Sequence, residues 1–198
     1  MGNLLTKAEV KRYLKVIDTL PSGSPEIEKV WQVLQAHKME TCRDSFLPFV
    51  QEMWSAFIGG SHHKVMADAF ERVANGELKR LIINMPPRHT KSEFASYLFP
   101  AWYLGKYPEK KIIQTAHTAE LAVGFGRKVR NLVNSPDFQK IFDLKLSADS
   151  KAAGRWNTDK GGDYFAIGVG GAVTGKGADV LIIDDPHSEQ EAMMGSPQ

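Results

Sequence analysis

The chain has 198 residues, of which 42% are hydrophobic and 24% are charged, so it is long enough for one well-buried domain and too short for two large ones. The formal net charge of +2 is too small to indicate nucleic-acid binding by the chain as a whole, so any such interaction must rest on local patches. A single cysteine, Cys42, excludes an internal disulfide framework, and because no apolar run approaches the ~20 residues of a membrane span we expect a soluble, cytoplasmic protein with no membrane partner.

Two amphipathic helices are predicted at the N-terminus. Thr6 begins a capping box, and apolar residues then recur at helical intervals. Ser24 and Pro25 begin a second helix as its N-cap and its first helical residue. We interpret residues 1–45 as an N-terminal helical appendage that packs or docks, and residues 46–198 as the main domain.

An aromatic-rich stretch follows from residue 46 to residue 70, and we expect its rings to lie in the core. The pair His62-His63 interrupts this stretch. Adjacent histidines could bind a metal ion, but neighbouring residues on a helix point about 100° apart, and no Cys or Glu-x-x-His partner is near. We therefore favour a structural or helix-capping role for the pair.

The next stretch is a candidate phosphate-binding loop. Residues 80–85 predict a strand, which leads into a turn ending in Lys91-Ser92 before a helix resumes. Loop N–H groups with a helix N-terminus behind them bind phosphate; Lys91 would neutralise the outer phosphates and the Ser92 hydroxyl would reach Mg²⁺. Met85 and Thr90 occupy the two glycine positions of the G-x-x-x-x-G-K-[ST] (Walker A) pattern, and a β-branched Thr90 restricts the backbone there.

The rest of the chain alternates between helical and extended patterns. Because such alternation predicts a parallel sheet covered by helices, ligands should bind at the carboxyl ends of its strands. The predicted elements are a helix after Ser92 that ends at Gly105, a strand at Lys111–Ala116, a helix at about 119–134, a short helix from Ser135 to near Phe142, extended segments over 156–169, and a strand at 180–183.

A second stretch, residues 170–176, satisfies G-x-x-x-x-G-K more literally than the first. The residue after Lys176 is Gly177, which cannot ligate Mg²⁺, whereas Ser92 can. The stretch also leads into the strand at Val180, so no helix N-terminus stands behind its amides. We interpret it as a flexible connection whose backbone passes close to a nucleotide or to a neighbouring subunit.

The strand at residues 180–183 runs directly into Asp184-Asp185. Two carboxylates at the end of an apolar central strand are typical of a magnesium site, although a buried strand ending in an Asp-Pro turn has the same pattern. The aspartate pair lies about 90 residues after Lys91-Ser92, and this arrangement of the two motifs favours the magnesium site over a simple Asp-Pro turn. Asp184 would hold Mg²⁺ directly or through water. Asp185 would orient or deprotonate the attacking water, a position from which a glutamate reaches further.

In their order along the chain, these segments closely resemble the ATPase domain of the large terminase subunit of tailed bacteriophages. The likeness extends from about Phe46 to the C-terminus. The segments that carry it are residues 62–63, 80–93, 99–102, 104–105, 120–122 with Arg127 and Arg130, 156–158, 161–162, 170–171, 174–175 and 181–186.

The resemblance implies an α/β fold of the ASCE-type P-loop ATPases, with a mainly parallel sheet flanked by helices and an N-terminal helical appendage. It implies ATP and Mg²⁺ as cofactors, and ATP hydrolysis coupled to translocation of double-stranded DNA into a procapsid. The implied partners are the portal protein, the small terminase subunit and four further copies in a five-subunit ring. The implied location is the host cytoplasm, with transient residence at the portal.

The resemblance also implies roles for individual residues. Lys91 matches the phosphate lysine, Ser92 and Asp184 match the magnesium ligands, and Asp185 matches the catalytic Walker B carboxylate. Arg88 matches a loop arginine that senses the γ-phosphate. The nucleotide-binding loop comprises Pro87, Arg88, His89, Thr90, Lys91, Ser92 and Glu93, and the candidates for an arginine acting in trans or facing DNA are Arg127, Arg130 and Arg155.

The family continues after the aspartate pair with a coupling segment and a nuclease domain, so we expect this chain, which ends at Gln198, to be a fragment with an incomplete ATPase domain. We assign no nuclease residues and leave the activity of the fragment alone open. Two alternatives to the packaging ATPase remain. One is a nucleotide-independent docking or assembly module, and the other is a different P-loop nucleic-acid motor such as a helicase.

Overall fold

Helices and strands form where the sequence places caps and apolar periodicity. The computed structural model describes residues 4–149, 152–187 and 195. Thr6 caps the first helix by accepting a hydrogen bond from the Glu9 amide, which confirms the predicted capping box. The elements are α1 (Lys7–Thr19), α2 (Pro25–Asp44), α3 (Phe46–Met53), α4 (Ser61–Ala74), a π-helix (Glu93–Leu98), α5 (Phe99–Lys106), β1 (Lys111–Ala116), α6 (Ala119–Val133), α7 (Pro136–Ile141), β2 (Arg155–Asn157), β3 (Asp163–Gly168) and β4 (Val180–Asp184).

The four strands form one sheet in the order β2-β3-β1-β4. Strand β1 is parallel to both β3 and β4, whereas β2 is antiparallel to β3 and forms a hairpin with it over the extended segments predicted at residues 156–169. The carboxyl ends of β1, β3 and β4 therefore lie at the same edge of the sheet. The fold is mixed α/β, with a mainly parallel sheet flanked by helices.

Helix α6 and the π-helix pack against the same face of the sheet. A Cβ added at Gly126 of α6 would lie 3.1 Å from the Tyr164 ring of β3, and Ser96 of the π-helix contacts Asp184 of β4. On the other face of β4, Leu181 and Ile183 are each 58% exposed. The two helices thus cover one face of the sheet at the carboxyl end of β4, while the side chains on the other face of β4 are exposed.

The predicted aromatic core is confirmed. Phe46 is fully buried, and five aromatic rings lie within 6.5 Å of its centroid: Phe49, Phe70, Phe94, Phe99 and Trp102. The Trp102 indole donates to the Cys42 carbonyl at 3.0 Å, so the last turn of α2 joins this core. Burial raises the pKa of the Cys42 thiol to about 11, which makes the thiol a poor nucleophile at neutral pH.

Two predictions about local structure are wrong. Residues 80–85 form no strand, although their exposure alternates as in a strand and Ile82 is 85% exposed. Leu81, Ile83 and Met85 pack against the core, but the segment forms no ladder with β4, the edge strand of the sheet, or with another described strand. Gly105 does not end its helix, which continues to Lys106; a Cβ at Gly105 would lie 2.5 Å from the Phe142 ring, so close packing explains the glycine.

Helix α1 contains no buried residue, and it contacts α2. The boundary between an appendage at residues 1–45 and a main domain at residues 46–198 stays a prediction. Within the described ranges, we find no helix with the length and apolar character needed to cross a membrane.

Candidate functional site

Lys91 and the aspartate pair meet at the carboxyl end of β4. The Lys91 ammonium lies 2.6 Å from Asp185 Oδ1 and 3.7 Å from Asp184 Oδ1. Burial lowers the pKa of Lys91, but the hydrogen bond and the charge of Asp185, followed by those of Asp184, outweigh this effect and raise the pKa above its ordinary value. The structure therefore brings together the three charged residues that the sequence assigns to the phosphates, to magnesium and to the attacking water.

Asp184 is held by a residue that the sequence analysis missed. Its side chain is 5% exposed, and its Oδ2 accepts a hydrogen bond of 2.8 Å from the fully buried Ser96 hydroxyl. Ser96 lies one turn after Ser92, within the π-helix. The feature of the sequence that could have identified Ser96 is its hydroxyl, which lies four residues after the loop serine Ser92 on the helix that follows the phosphate-binding loop.

The backbone is strained on both sides of the site. Among the described residues, the non-glycine positions with positive φ are Arg88 at 63°, Thr90 at 64° and Asp185 at 42°. Such conformations cost of order 1–3 kcal/mol each and cluster at ligand sites. Glycine adopts a left-handed conformation without steric cost, so Thr90 occupies the glycine position of the pattern in a conformation that favours glycine.

The histidine pair contacts this loop. His63 is 4% exposed; its Nδ1 accepts a hydrogen bond of 2.8 Å from the Gly60 amide at the start of α4, and its Nε2 lies 2.8 Å from Thr90 Oγ1. Burial, and then the neighbouring His62, lower the pKa of His63. The structure confirms the capping role. No group of three or more potential metal-binding side chains of the His, Cys, Asp or Glu type occurs among the described residues.

The other predicted loop residues differ in exposure. Pro87, Arg88 and His89 are exposed, and the His89 ring nitrogen Nδ1 lies 2.9 Å from the Pro87 carbonyl. Glu93 forms an ion pair of 3.0 Å with Lys128, which ties the π-helix to α6. The loop thus presents its tip to solvent while its C-terminal end is fixed.

The three arginines proposed to act in trans lie at different places. Arg127 is exposed on α6, and Arg130, on the same helix, donates to Asn131 Oδ1 at 3.2 Å. Arg155 lies on β2, where its guanidinium is 3.7 Å from Asp163, at the sheet edge opposite β4. The structure therefore separates Arg155 from Lys91 and the aspartate pair by the width of the sheet.

A cavity of about 490 Å³ adjoins the site at the start of α6. It is lined by residues between His117 and Lys128. The His117 amide donates to the Asp185 carbonyl at 3.2 Å, so the cavity wall and the second aspartate are directly connected. This open volume is connected to the site through the backbone of Asp185.

Comparison with known proteins gives one similarity that bears on this site. The chain is 26% identical over 149 residues to a protein described as "Terminase, large subunit" from Enterobacteria phage T3; the alignment covers 72% of this chain and 25% of that protein. The chain thus spans about a quarter of the length of this relative. No family model and no solved structure matches the chain. The sequence similarity supports a terminase-like relationship.

Proposed function

We propose that this chain is the Mg²⁺-dependent ATPase module of a viral DNA-packaging terminase, with an ASCE-type P-loop fold. The observation that carries the proposal is the meeting of Lys91 with Asp184 and Asp185, two motifs separated by more than 90 positions in sequence. Such a meeting of a loop lysine with strand-end carboxylates is typical of nucleotide hydrolysis sites. The similarity to a phage terminase large subunit supports the same proposal.

In this proposal, Lys91 exchanges its carboxylate partner for a phosphate. The ion pair with Asp185 joins side chains that are 26% and 63% exposed, so it is screened by water and stabilises the fold little. A triphosphate offers a higher negative charge to the same ammonium. The loop from Pro87 to Glu93 would wrap the phosphates, with the backbone N–H groups as donors.

Asp184 and Ser92 would hold Mg²⁺. Carboxylate and hydroxyl oxygens are the ligands that this ion prefers, and Mg²⁺ typically takes one or two protein ligands beside phosphates and water. The Ser96 hydrogen bond fixes the Asp184 carboxylate on the side of Oδ2, while Oδ1 faces Lys91. The ion would supply neutralisation of the charge on the transferred phosphate.

Asp185 would orient or deprotonate the attacking water, since it is the more exposed of the two aspartates. Arg88, at the exposed loop tip, would contact the γ-phosphate. Arg127 and Arg130 on α6 are candidates for a contribution to a neighbouring subunit or for contact with DNA. Arg155 is the third candidate for such a contribution, and it lies on β2 at the sheet edge opposite β4.

The biological part of the proposal rests on the resemblance and on the phage similarity. In it, hydrolysis drives double-stranded DNA through the portal protein of a procapsid, with five copies of the chain in a ring and a small terminase subunit as partner. The work takes place in the host cytoplasm. Helix α6 carries the basic residues that would face DNA or the adjacent copy.

The test is ATP turnover by this protein. Lys91→Ala should abolish turnover, because no other cation would replace the ammonium on the outer phosphates. Lys64→Ala, an exposed lysine on α4, serves as the matched control and should turn over ATP normally. Unchanged turnover in Lys91→Ala would contradict the proposal.

The runner-up function is a nucleotide-independent docking module. The observation in its favour is a cavity of about 560 Å³ bordered by α1, α2 and α3, beside a helix that has no buried residue. Calorimetry with ATP and Mg²⁺ separates the two functions, since absence of binding together with intact docking favours the second. A helicase is separated from a packaging motor by whether DNA-stimulated hydrolysis requires procapsids.

A further inference from the structure

His63 connects the start of α4 to the phosphate-binding loop through a directed chain of hydrogen bonds. A backbone amide can only donate, so Nδ1 of His63 is the acceptor for Gly60, and the proton of the neutral ring lies on Nε2. Nε2–H therefore donates to Thr90 Oγ1 at 2.8 Å. The Thr90 hydroxyl in turn donates to the His89 carbonyl at 2.6 Å. Every donor in this chain has one defined acceptor.

The imidazole is fixed in place by packing as well as by hydrogen bonds. Its ring stacks on Phe94 with 5.1 Å between centroids and an interplanar angle of 22°, and it meets Phe57 edge-on at 4.7 Å. Phe94 is fully buried and belongs to the π-helix that begins directly after the loop. A ring held from two sides positions its hydrogen-bond donor with little freedom.

The Thr90 hydroxyl, which accepts the hydrogen bond from His63 Nε2–H, belongs to a loop residue with a strained backbone. Thr90 has φ of 64° and immediately precedes Lys91, so its conformation sets the direction in which the lysine leaves the backbone. Glycine adopts this conformation freely, whereas a β-branched residue does so only when its surroundings hold it. The hydroxyl of Thr90 is held by one accepted and one donated hydrogen bond.

We propose that His63 is a positioning residue of the nucleotide site, which acts through the Thr90 hydroxyl to hold the loop in the backbone conformation that a glycine would otherwise supply. The two residues thus form one functional pair. The inference deepens the proposed function, since nucleotide affinity is its principal readout.

The test is a double-mutant cycle on Mg·ATP affinity, measured by calorimetry with the whole chain. His63→Ala should weaken binding by about tenfold, and Thr90→Val, which replaces the hydroxyl with a methyl group and keeps the β-branch, should weaken it similarly. In a Thr90→Gly background, where the loop no longer needs the hydrogen bond, His63→Ala should change affinity by less than about twofold. An equal loss in both backgrounds overturns the inference, because His63 would then act only as a core residue.

Met66→Ala is the matched control, because Met66 is buried on the same helix and is 5% exposed. It should lower thermal stability without the dependence on Thr90 that His63→Ala shows. If Met66→Ala shows the same dependence on the Thr90 background, the effect is general to α4 and the inference is wrong.

A second readout needs no nucleotide, so it separates failure of this inference from failure of the proposed function. Nitrogen NMR of the native chain should show His63 as the Nε2–H tautomer, and Thr90→Val should shift the Nε2 resonance while leaving the ring of His62 unchanged. Trypsin should cut after the exposed Arg88 faster in Thr90→Val than in the native chain. An Nδ1–H ring, or unchanged cutting, overturns the inference even if ATP binds.

Discussion

Lys91 donates a 2.6 Å hydrogen bond to Asp185 across 94 positions of sequence, so the lysine of one predicted motif contacts the carboxylate of the other. The pair raises the pKa of the lysine, and a group with a raised pKa stays charged throughout the physiological range. Because the pair is partly exposed, its contribution to folding is about 0–1 kcal/mol. The contact therefore matters for the site more than for stability.

The first prediction concerns Asp185→Asn. The amide keeps an acceptor for Lys91 but cannot deprotonate water, so we expect Mg·ATP to bind at least as tightly while turnover by the full-length protein falls by roughly 10²–10⁴-fold. Phosphate release measures turnover and calorimetry measures binding. Asp143→Asn, an acid whose side chain is 91% exposed, is the control. Native turnover in Asp185→Asn would show that Asp185 is not the catalytic carboxylate.

The second prediction separates two serines that lie four residues apart. Ser96→Ala leaves the buried Asp184 carboxylate without its hydroxyl donor, so the free energy of unfolding should fall by about 1–3 kcal/mol. Ser92→Ala should leave that free energy within about 0.5 kcal/mol and raise the Mg²⁺ concentration needed for ATP binding. Urea denaturation and metal-dependent ATP titration measure the two effects. Equal stability losses in both variants would contradict the assignment of Ser96.

Sequence periodicity was sufficient for most of the elements. Strand β1 matches its prediction residue for residue, α1 begins after the predicted cap Thr6, and α6 and α7 begin where helices were predicted, at Ala119 and directly after Ser135. At residues 80–85 the apolar alternation correctly indicates which side chains pack against the core, namely Leu81, Ile83 and Met85, but side-chain periodicity does not specify backbone pairing, and no ladder forms there.

The site was predicted only in its charged members. Lys91 was identified from the G-x-x-x-x-G-K-[ST] pattern, and the aspartate pair was identified from its position at the end of an apolar strand. Ser96 and His63 were not linked to the site, since one is a hydroxyl inside a helical pattern and the other acts through a contact that only the fold creates. The strained conformation of Thr90 could be inferred as a departure from glycine, but the residue that holds it could not.

The third prediction compares two glycines of α6. A Cβ at Gly126 would lie 2.5 Å from the Ala153 carbonyl oxygen, whereas a Cβ at Gly124 would meet nothing within 4 Å. Gly126→Ala should therefore lower the free energy of unfolding by about 1–3 kcal/mol, because α6 must move away from β3. Gly124→Ala should raise the free energy of unfolding by about 0.5–1 kcal/mol, because alanine favours helix. Urea denaturation of both variants measures the difference, and effects of the same sign would contradict the packing of α6.

The fourth prediction is the pH dependence of stability at His63. Burial and the neighbouring His62 lower the pKa of His63, so the unfolded chain takes up a proton near the ordinary value of 6.5 while the folded ring stays neutral. The unfolded state then binds more protons, and stability rises with pH in this window. The contribution is complete above about pH 6.5 and is lost as the pH falls below that value. Protonation would also place a hydrogen on Nδ1, which must accept from Gly60.

Urea denaturation at about pH 7.5 and about pH 5.5 measures this contribution. The native chain should lose stability between the two values, and His63→Gln should lose less, because glutamine does not titrate. His62→Gln keeps the hydrogen bonds of His63 to Gly60 and Thr90 but removes the smaller of the two causes of the lowered pKa, so it should lose less stability than the native chain and more than His63→Gln. If the native chain and His63→Gln lose the same stability on acidification, the imidazole of His63 is not the group that carries the pH dependence.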